Sequence, residues 1–239
     1  MKYIYGPVNS RRIGLSLGIT LTPHKICDFD CVYCQLGKTK EITIERKEYV
    51  KIEEILNELT SWFQNNPREA EKINYITISG SGEPTLNIKI GELIARIKKM
   101  TQIPVCVITN SSLLDKSEVR SELVIADLII PSLDAVEPSL FKEINLPALD
   151  IKIEQIIEGL ISLRKEYKGK IWLEVMLVKG INDDSRHIEK LKSVIERIRP
   201  DKVQLNSPVR LSTESAVLCV DKRHLRKIKE ILGDKCEII

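Results

Sequence analysis

The chain has 239 residues, 37 of them basic and 34 acidic, and a formal net charge of +3. That length allows one large α/β domain or two small ones, with a substantial buried core. The small charge excess demands no nucleic-acid partner, the N-terminus lacks the order of a signal peptide, and no apolar run approaches the roughly 18 residues that span a bilayer. A reducing, cytoplasmic setting with no membrane attachment is the expectation.

In chain order, Gly14 to Leu21 reads as the first strand and runs into Cys27-Asp28-Phe29-Asp30-Cys31-Val32-Tyr33-Cys34. Three thiolates at this C-x3-C-x2-C spacing can bind one metal centre from one side and leave a coordination position open. A [4Fe–4S] cluster normally takes four cysteines, so one held by Cys27, Cys31 and Cys34 leaves an iron free for another ligand. The same cysteines with His24 could instead form a closed Cys3His zinc site. A disulfide framework is a poor fit, since three is odd and nothing points to secretion. Asp28 and Asp30 argue for a loop rather than core.

After this loop, apolar runs alternate with amphipathic stretches. Ile73 to Ser79, Val105 to Thr109, Asp127 to Ser132, Ile171 to Val178 and Lys202 to Leu205 read as parallel strands buried on both faces. Val50 to Gln64, Ile88 to Met100, Ile151 to Tyr167, Asp184 to Ile198 and Asp221 to Leu232 read as helices. The alternation predicts right-handed βαβ units and a parallel sheet with ligands at the carboxyl ends of its strands. No linker or short-period repeat divides the chain.

Polar groups recur at those strand ends. Ser79-Gly80-Ser81-Gly82-Glu83-Pro84 follows the second strand; glycine allows close backbone approach, and Glu83 could receive an ammonium group. It could equally be a tight turn with a carboxylate near a helix start. It is no phosphate loop, because G-x4-G-K-[ST] is missing. Thr109-Asn110-Ser111-Ser112, Ser132-Leu133-Asp134 and Leu205-Asn206-Ser207-Pro208 close later strands with groups able to hold a ribose. Each alone reads equally well as a turn or cap. Lys179 and Arg210 lie where they could take a carboxylate. His187 and His224 read as helix-surface residues, and Cys106 as core filling. Cys219 and Cys236 supply too few ligands for a second cluster.

These features together resemble the radical S-adenosylmethionine (radical SAM) enzymes. Cys27, Cys31 and Cys34, with Tyr33 before the last, resemble that family's cluster loop. Gly80, Gly82 and Glu83 are similar to its glycine–glutamate motif, although Ser-Gly-Glu-Pro stands where adjacent glycines precede the acid. Asn110, Ser132 and Asp134 fall where members contact the SAM ribose and carboxylate. The resemblance implies an α/β fold, a partial (β/α)6 TIM-type barrel with parallel strands, as a single domain over 1–239 with its core at about 14–210 and a helical/strand extension over 211–239. It implies a [4Fe–4S] cluster, SAM, and an electron donor such as ferredoxin or flavodoxin. It also implies reductive cleavage of SAM to a 5′-deoxyadenosyl radical that abstracts hydrogen from a substrate, with RNA or protein among the possible targets. Tyr5-Gly6-Pro7-Val8-Asn9-Ser10-Arg11-Arg12 and Cys31-Val32-Tyr33-Cys34-Gln35-Leu36-Gly37 look like a compact group beside the wyosine tRNA synthetases. Arg11, Arg12 and the basic run Lys222 to Lys227 could meet RNA phosphates, or be ordinary surface charge. The competing expectation is a zinc-stabilised, non-catalytic RNA- or protein-binding module.

Overall fold

The structure is a computed structural model, and residues 1–208 and 217–239 are described. Strands β1 (Ile4–Ser10) and β2 (Gly14–Thr20) form an antiparallel hairpin. Two short strands follow, β3 (Ile26–Cys27) and β4 (Glu41–Ile42), paired in parallel and bracketing the cysteine loop. Then come α1 (Ile52–Asn65), α2 (Pro67–Ala70), β5 (Tyr75–Ser79), a 3-10 turn at Pro84–Leu86, α3 (Ile90–Met100), β6 (Val105–Thr109), α4 (Ser117–Leu123) and β7 (Leu128–Pro131). The chain continues through α5 (Pro138–Asn145), α6 (Ile153–Glu166), β8 (Lys170–Met176), α7 (Ser185–Ile198), β9 (Lys202–Asn206), α8 (Lys222–Leu232) and β10 (Cys236–Ile238). Among the described residues no helix is long and apolar enough to cross a membrane.

The main sheet runs β1-β2-β5-β6-β7-β8-β9-β10. Six central strands, β2 and β5 to β9, are parallel, as expected from the alternation of elements. The sheet gains two edges, antiparallel β1, which was not anticipated, and parallel β10, a strand within the helical/strand extension. Arg210 and residues 211–216 of the anticipated extension lie outside the described residues.

The period of two along each strand sorts side chains into layers. Ile76, Ile78, Val105, Val107, Ile129, Leu173, Val175, Val203 and Leu205 join the large apolar core. The helices present matching stripes, such as Ile52, Ile55, Leu56 and Leu59 on α1 and Leu93, Ile94 and Ile97 on α3. On the opposite face Cys106, Leu128 and Ile130 form a smaller cluster with Ile13. Ile13 lies in the turn between β1 and β2, so the turn reaches across the sheet's inner face. Its neighbours reach further: Arg12 pairs with Glu174 on β8, its carbonyl accepts from Gln204 Nε2 on β9 at 3.4 Å, and Arg11 Nη2 donates to Asn206 Oδ1 at 3.2 Å. A turn beside β2 touches β8 and β9 only if the sheet curls. This is the partial barrel, and the hairpin tip spans its interior.

The helix ends carry local explanations. Asp184 caps α7 by accepting from Arg186 N and His187 N, and Asp221 caps α8 by accepting from His224 N. His187 corrects its surface expectation. It is 1% exposed and its Nδ1 lies 3.4 Å from Glu137 Oε2, because it sits on the inward stripe of α7. His224 is half-buried, with Nε2 2.7 Å from the Asp183 carbonyl. Cys106 is core as expected, Cys236 is buried on β10, and exposed Cys219 lies opposite Val178.

Candidate active site

The cysteine loop begins where β2 delivers the chain to the carboxyl edge of the sheet. It is folded on itself: Lys25 Nζ reaches Asp30 at 3.4 Å and the Gly37 carbonyl, while Thr39 N donates to Asp30 Oδ1 at 2.6 Å. The end of α5 then clamps it. Val32 N donates to the Ile144 carbonyl at 2.9 Å, Asp30 N to that of Asn145 at 3.1 Å, and Ala148 N to that of Asp28 at 2.8 Å. The Phe29 and Phe141 rings meet edge to face at 5.5 Å.

The glycine turn is fitted against the same segment. Glu83 N donates to the Ile26 carbonyl at 3.1 Å, and any Cβ on Gly82 would overlap that carbonyl oxygen. Gly80 has φ +92°, a left-handed conformation, and a Cβ there would strike Thr20. Both glycines are therefore needed to bring the β5 turn against the start of the cysteine loop. Glu83 is buried. Its Oε1 accepts from Thr85 N at 3.0 Å, Thr85 Oγ1 at 2.6 Å and Thr109 Oγ1 at 2.7 Å, and its Oε2 accepts from Asn110 N at 2.8 Å. The carboxylate thus ties the ends of β5 and β6 together and keeps capacity at Oε2.

Cys27 and Cys34 line an open cavity of about 680 Å³ together with Gly80, Ser81, Gly82, Glu83, Asn110 and Ser132. Cys27, Cys34 and the strand-end residues expected at Gly80, Gly82, Glu83, Asn110 and Ser132 are thereby brought to one place. Tyr33 and Asp134 are not on that wall. They lie behind the loop around a much smaller pocket with Asn145. The Tyr33 hydroxyl donates to Asp134 Oδ2, and Asn145 Nδ2 donates to Asp134 Oδ2 at 2.8 Å and to Cys31 Sγ at 3.4 Å. Lys179 is exposed and does not line the cavity.

Three features escape sequence reasoning. Asp28 is fully buried, not a solvated loop acid, and accepts from Asn110 Nδ2 at 2.6 Å and from the Ser112 hydroxyl. Asn145 gave no signal, being one polar residue at the end of a short helix. The Arg12–Glu174 pair joins residues 162 positions apart.

The electrostatics follow from burial. Burial, then the Asp28 carboxylate, pushes Glu83 up to about 7. Burial alone accounts for most of the rise of Asp134 to about 6 and for the rise of Asp28. Burial and then Asp134 push the Cys31 thiol to about 12, and burial and then Asp28 raise Cys27 well above the usual thiol range. Acids and thiols crowd here, and the nearest buried lysine, Lys25, is already held by Asp30. Such a set suits a cationic group.

The donor chemistry fits an iron–sulfur cluster. Backbone and amide N–H groups approach the sulfurs, Phe29 N at 3.5 Å and Asn110 Nδ2 at 3.6 Å from Cys27 Sγ, as well as Asn145 at Cys31. Hydrogen bonds of this kind tune cluster potential. A closed zinc site gains no support. His24 Nε2 lies 3.7 Å from Glu41, and among the described residues no three or more His, Cys, Asp or Glu converge to hold one ion. A cluster asks less convergence, since each thiolate binds its own iron.

The family model described as the Radical SAM superfamily matches residues 21–192, from the end of β2 into α7. The chain belongs to the radical SAM superfamily. S-adenosylmethionine and a [4Fe–4S] cluster are the superfamily's cofactors, as the resemblance implies. The radical SAM chain is 42% identical over 237 residues to a Brachyspira hyodysenteriae protein named GTPase Obg, covering 99% of this chain and 34% of that one. It is 39% identical over 210 residues to a UPF0026 protein of Synechocystis, covering 87% of this chain and 76% of that one. It thus spans about a third of the first relative, and it has no G-x4-G-K-[ST] phosphate loop. Among solved structures it is similar to Streptococcus suis SuiB bound to S-adenosylmethionine, with TM-score 0.68 and 16% identity over 93% of this chain and 49% of that one. At that identity the likeness is one of fold.

Proposed function

We propose that residues 1–239 form one radical SAM domain that binds a [4Fe–4S] cluster through Cys27, Cys31 and Cys34 and cleaves SAM reductively. The observation that carries this reading is the meeting of Cys27 and Cys34 with the glycine–glutamate turn and Asn110 on one cavity wall. When bound, the two cofactors supply one-electron cleavage of SAM to a 5′-deoxyadenosyl radical, which abstracts hydrogen from a substrate. The chain's own residues position and shield. Gly80 and Gly82 let backbone approach the ligand, and Glu83 Oε2 offers an acceptor to an ammonium group. Asn110 and Ser132 offer amide and hydroxyl groups to a ribose. Tyr33 and Asp134, with Asn145, brace the loop from behind and set the surroundings of Cys31. Asp28 orients Asn110.

The electron comes from a donor such as ferredoxin or flavodoxin, and the substrate is an RNA, a protein or a smaller molecule. Six free cysteines suit a reducing compartment, for which we infer the cytoplasm. RNA gains little from exposed Arg11, whose guanidinium is held by the Asn206 side chain and the Ile239 carbonyl, and the exposed cations of α8 fit a solvated face.

The test is low-temperature EPR of anaerobic, dithionite-reduced protein with and without SAM. A [4Fe–4S]+ signal that changes on adding SAM is expected, and Cys27→Ala, Cys31→Ala and Cys34→Ala should each reduce SAM cleavage to background. Cleavage at the wild-type rate in any one of them would sink the reading, as would one bound zinc in place of iron after reconstitution.

A further inference from the structure

Resting on the radical SAM reading, we propose that Arg12 is the substrate anchor, and that it takes a carboxylate or phosphate oxyanion on the free edge of its guanidinium. Arg12 lines the same open cavity as Cys27, Cys34 and Glu83, together with Tyr5, Ser79 and Ile108. It therefore borders the space that the cluster loop and the glycine turn also line.

A guanidinium offers two forked edges for planar oxyanions. Glu174 takes one, with Arg12 Nε 3.0 Å from Oε2 and Nη2 on Oε1. Asn206 Nδ2 donates to Glu174 Oε1 at 3.1 Å and so fixes that carboxylate. The other edge, Nη1 with the second N–H of Nη2, has no acceptor among the described residues. The backbone is pinned as well, by Gln204 at the Arg12 carbonyl and by Ile13 in the inner apolar cluster. An arginine held at its backbone and on one edge presents the other without further ordering cost, which is preorganisation for a ligand.

Glu174 is the anion that faces the Arg12 charge, while burial keeps the nearby Tyr33 and Cys106 groups neutral. The other cationic side chains on the cavity wall are occupied or outside: Lys25 is held by Asp30 and the Gly37 carbonyl, and Lys2 lies 3.5 Å from Glu54 at the surface.

The experiment is isothermal titration of the full chain, cluster-reconstituted and SAM-loaded, with inorganic pyrophosphate and with succinate. One saturable site is expected, and the tighter probe assigns the substrate's oxyanion as phosphate or carboxylate. Because Arg12→Gln alone strands Glu174, the decisive variant is Arg12→Gln with Glu174→Gln, which keeps a hydrogen-bonding pair and should weaken the probe at least about tenfold. Arg12→Lys should weaken it several-fold, since lysine lacks the fork. Lys222→Gln, on the exposed face of α8, should leave it unchanged. Absence of saturable binding overturns the inference, as does equal weakening in Lys222→Gln. So does probe binding to the SAM-free protein that is lost in the SAM-loaded one, which would assign Arg12 to the cofactor's own carboxylate. EPR on the same preparation separates the two readings: probe binding without a SAM-dependent signal keeps the oxyanion site and removes the radical chemistry, and the converse removes only the anchor.

Discussion

The two faces of the curled sheet have different chemistry. Toward the helices, alternate residues are almost all Ile, Val and Leu, and they merge with the helical stripes into one core. Toward the barrel interior, the intervening positions include Ser16, Thr77, Glu174, Gln204 and Asn206, all buried. These polar groups find partners across strands, as Ser16 Oγ does with Thr77 Oγ1 at 2.6 Å. The outer face holds the fold by burial, which is non-directional and tolerant. The inner face and the strand ends depend on individual geometry, where one lost partner leaves a buried polar group exposed to a large penalty. Stability should be spread over the outer layer, and function concentrated in the inner one.

The largest effect that would sharpen this contrast is at the glycine turn. Gly82→Ala drives a methyl group into the Ile26 carbonyl and should cost about 4 kcal/mol or more, or displace the cysteine loop and abolish cluster loading. Iron content and urea unfolding of the variant report both; normal loading at normal stability would contradict the packing described. On the outer face, Leu93→Ala removes a fully buried side chain from α3 and should cost about 2–5 kcal/mol. Its folded fraction should still load the cluster and cleave SAM, and a specific activity that falls after correction for the folded fraction would break the division between the faces.

A pH experiment probes the strand ends. Glu83 rises from 4.5 to about 7 on folding, so between those values the native protein binds more protons than the unfolded chain. Its contribution to stability is full below pH 4.5 and is lost as pH rises through 7, by about 3 kcal/mol in the cluster-free protein. Denaturant unfolding at pH 5 and pH 7.5 measures this together with the share of Asp134, which rises to about 6, and Glu83→Gln should shrink the difference by the Glu83 share. The smallest effect is at Asn145. Asn145→Ala removes donors from Asp134 and Cys31 and should cost about 1–3 kcal/mol. It should also make the cluster's reduction potential more negative in an EPR-monitored titration, because an N–H to sulfur bond is gone. An unchanged potential would reduce Asn145 to a structural role.

The legible part of this protein is what short-range pattern carries. Apolar runs located β5 to β9 within a residue or two because strands buried on both faces are short and rich in Ile, Val and Leu. Strict 3.6-residue stripes located α1, α3, α6, α7 and α8 equally well. The short helices α4 and α5 were missed because seven or eight residues hold too little periodicity. Edge strand β1 was hidden by Gly6-Pro7, residues poor in strands but tolerated at an edge. The burial of Asp28 leaves no local mark, because the partners that close over it, Asn110 and Ser112, lie more than 80 residues away.

By itself the sequence determined the cluster-type cysteine spacing, the alternating layers and the polar residues at successive strand ends, because each is written in neighbouring residues. Tertiary structure alone decided which of them meet. It set Glu83 among Thr85, Thr109 and Asn110, put Tyr33 and Asp134 behind the loop instead of on the cavity wall, and carried Arg12 across the barrel to Glu174. Those pairings depend on the curl of the sheet and on burial, which sum over the whole chain and leave no local mark.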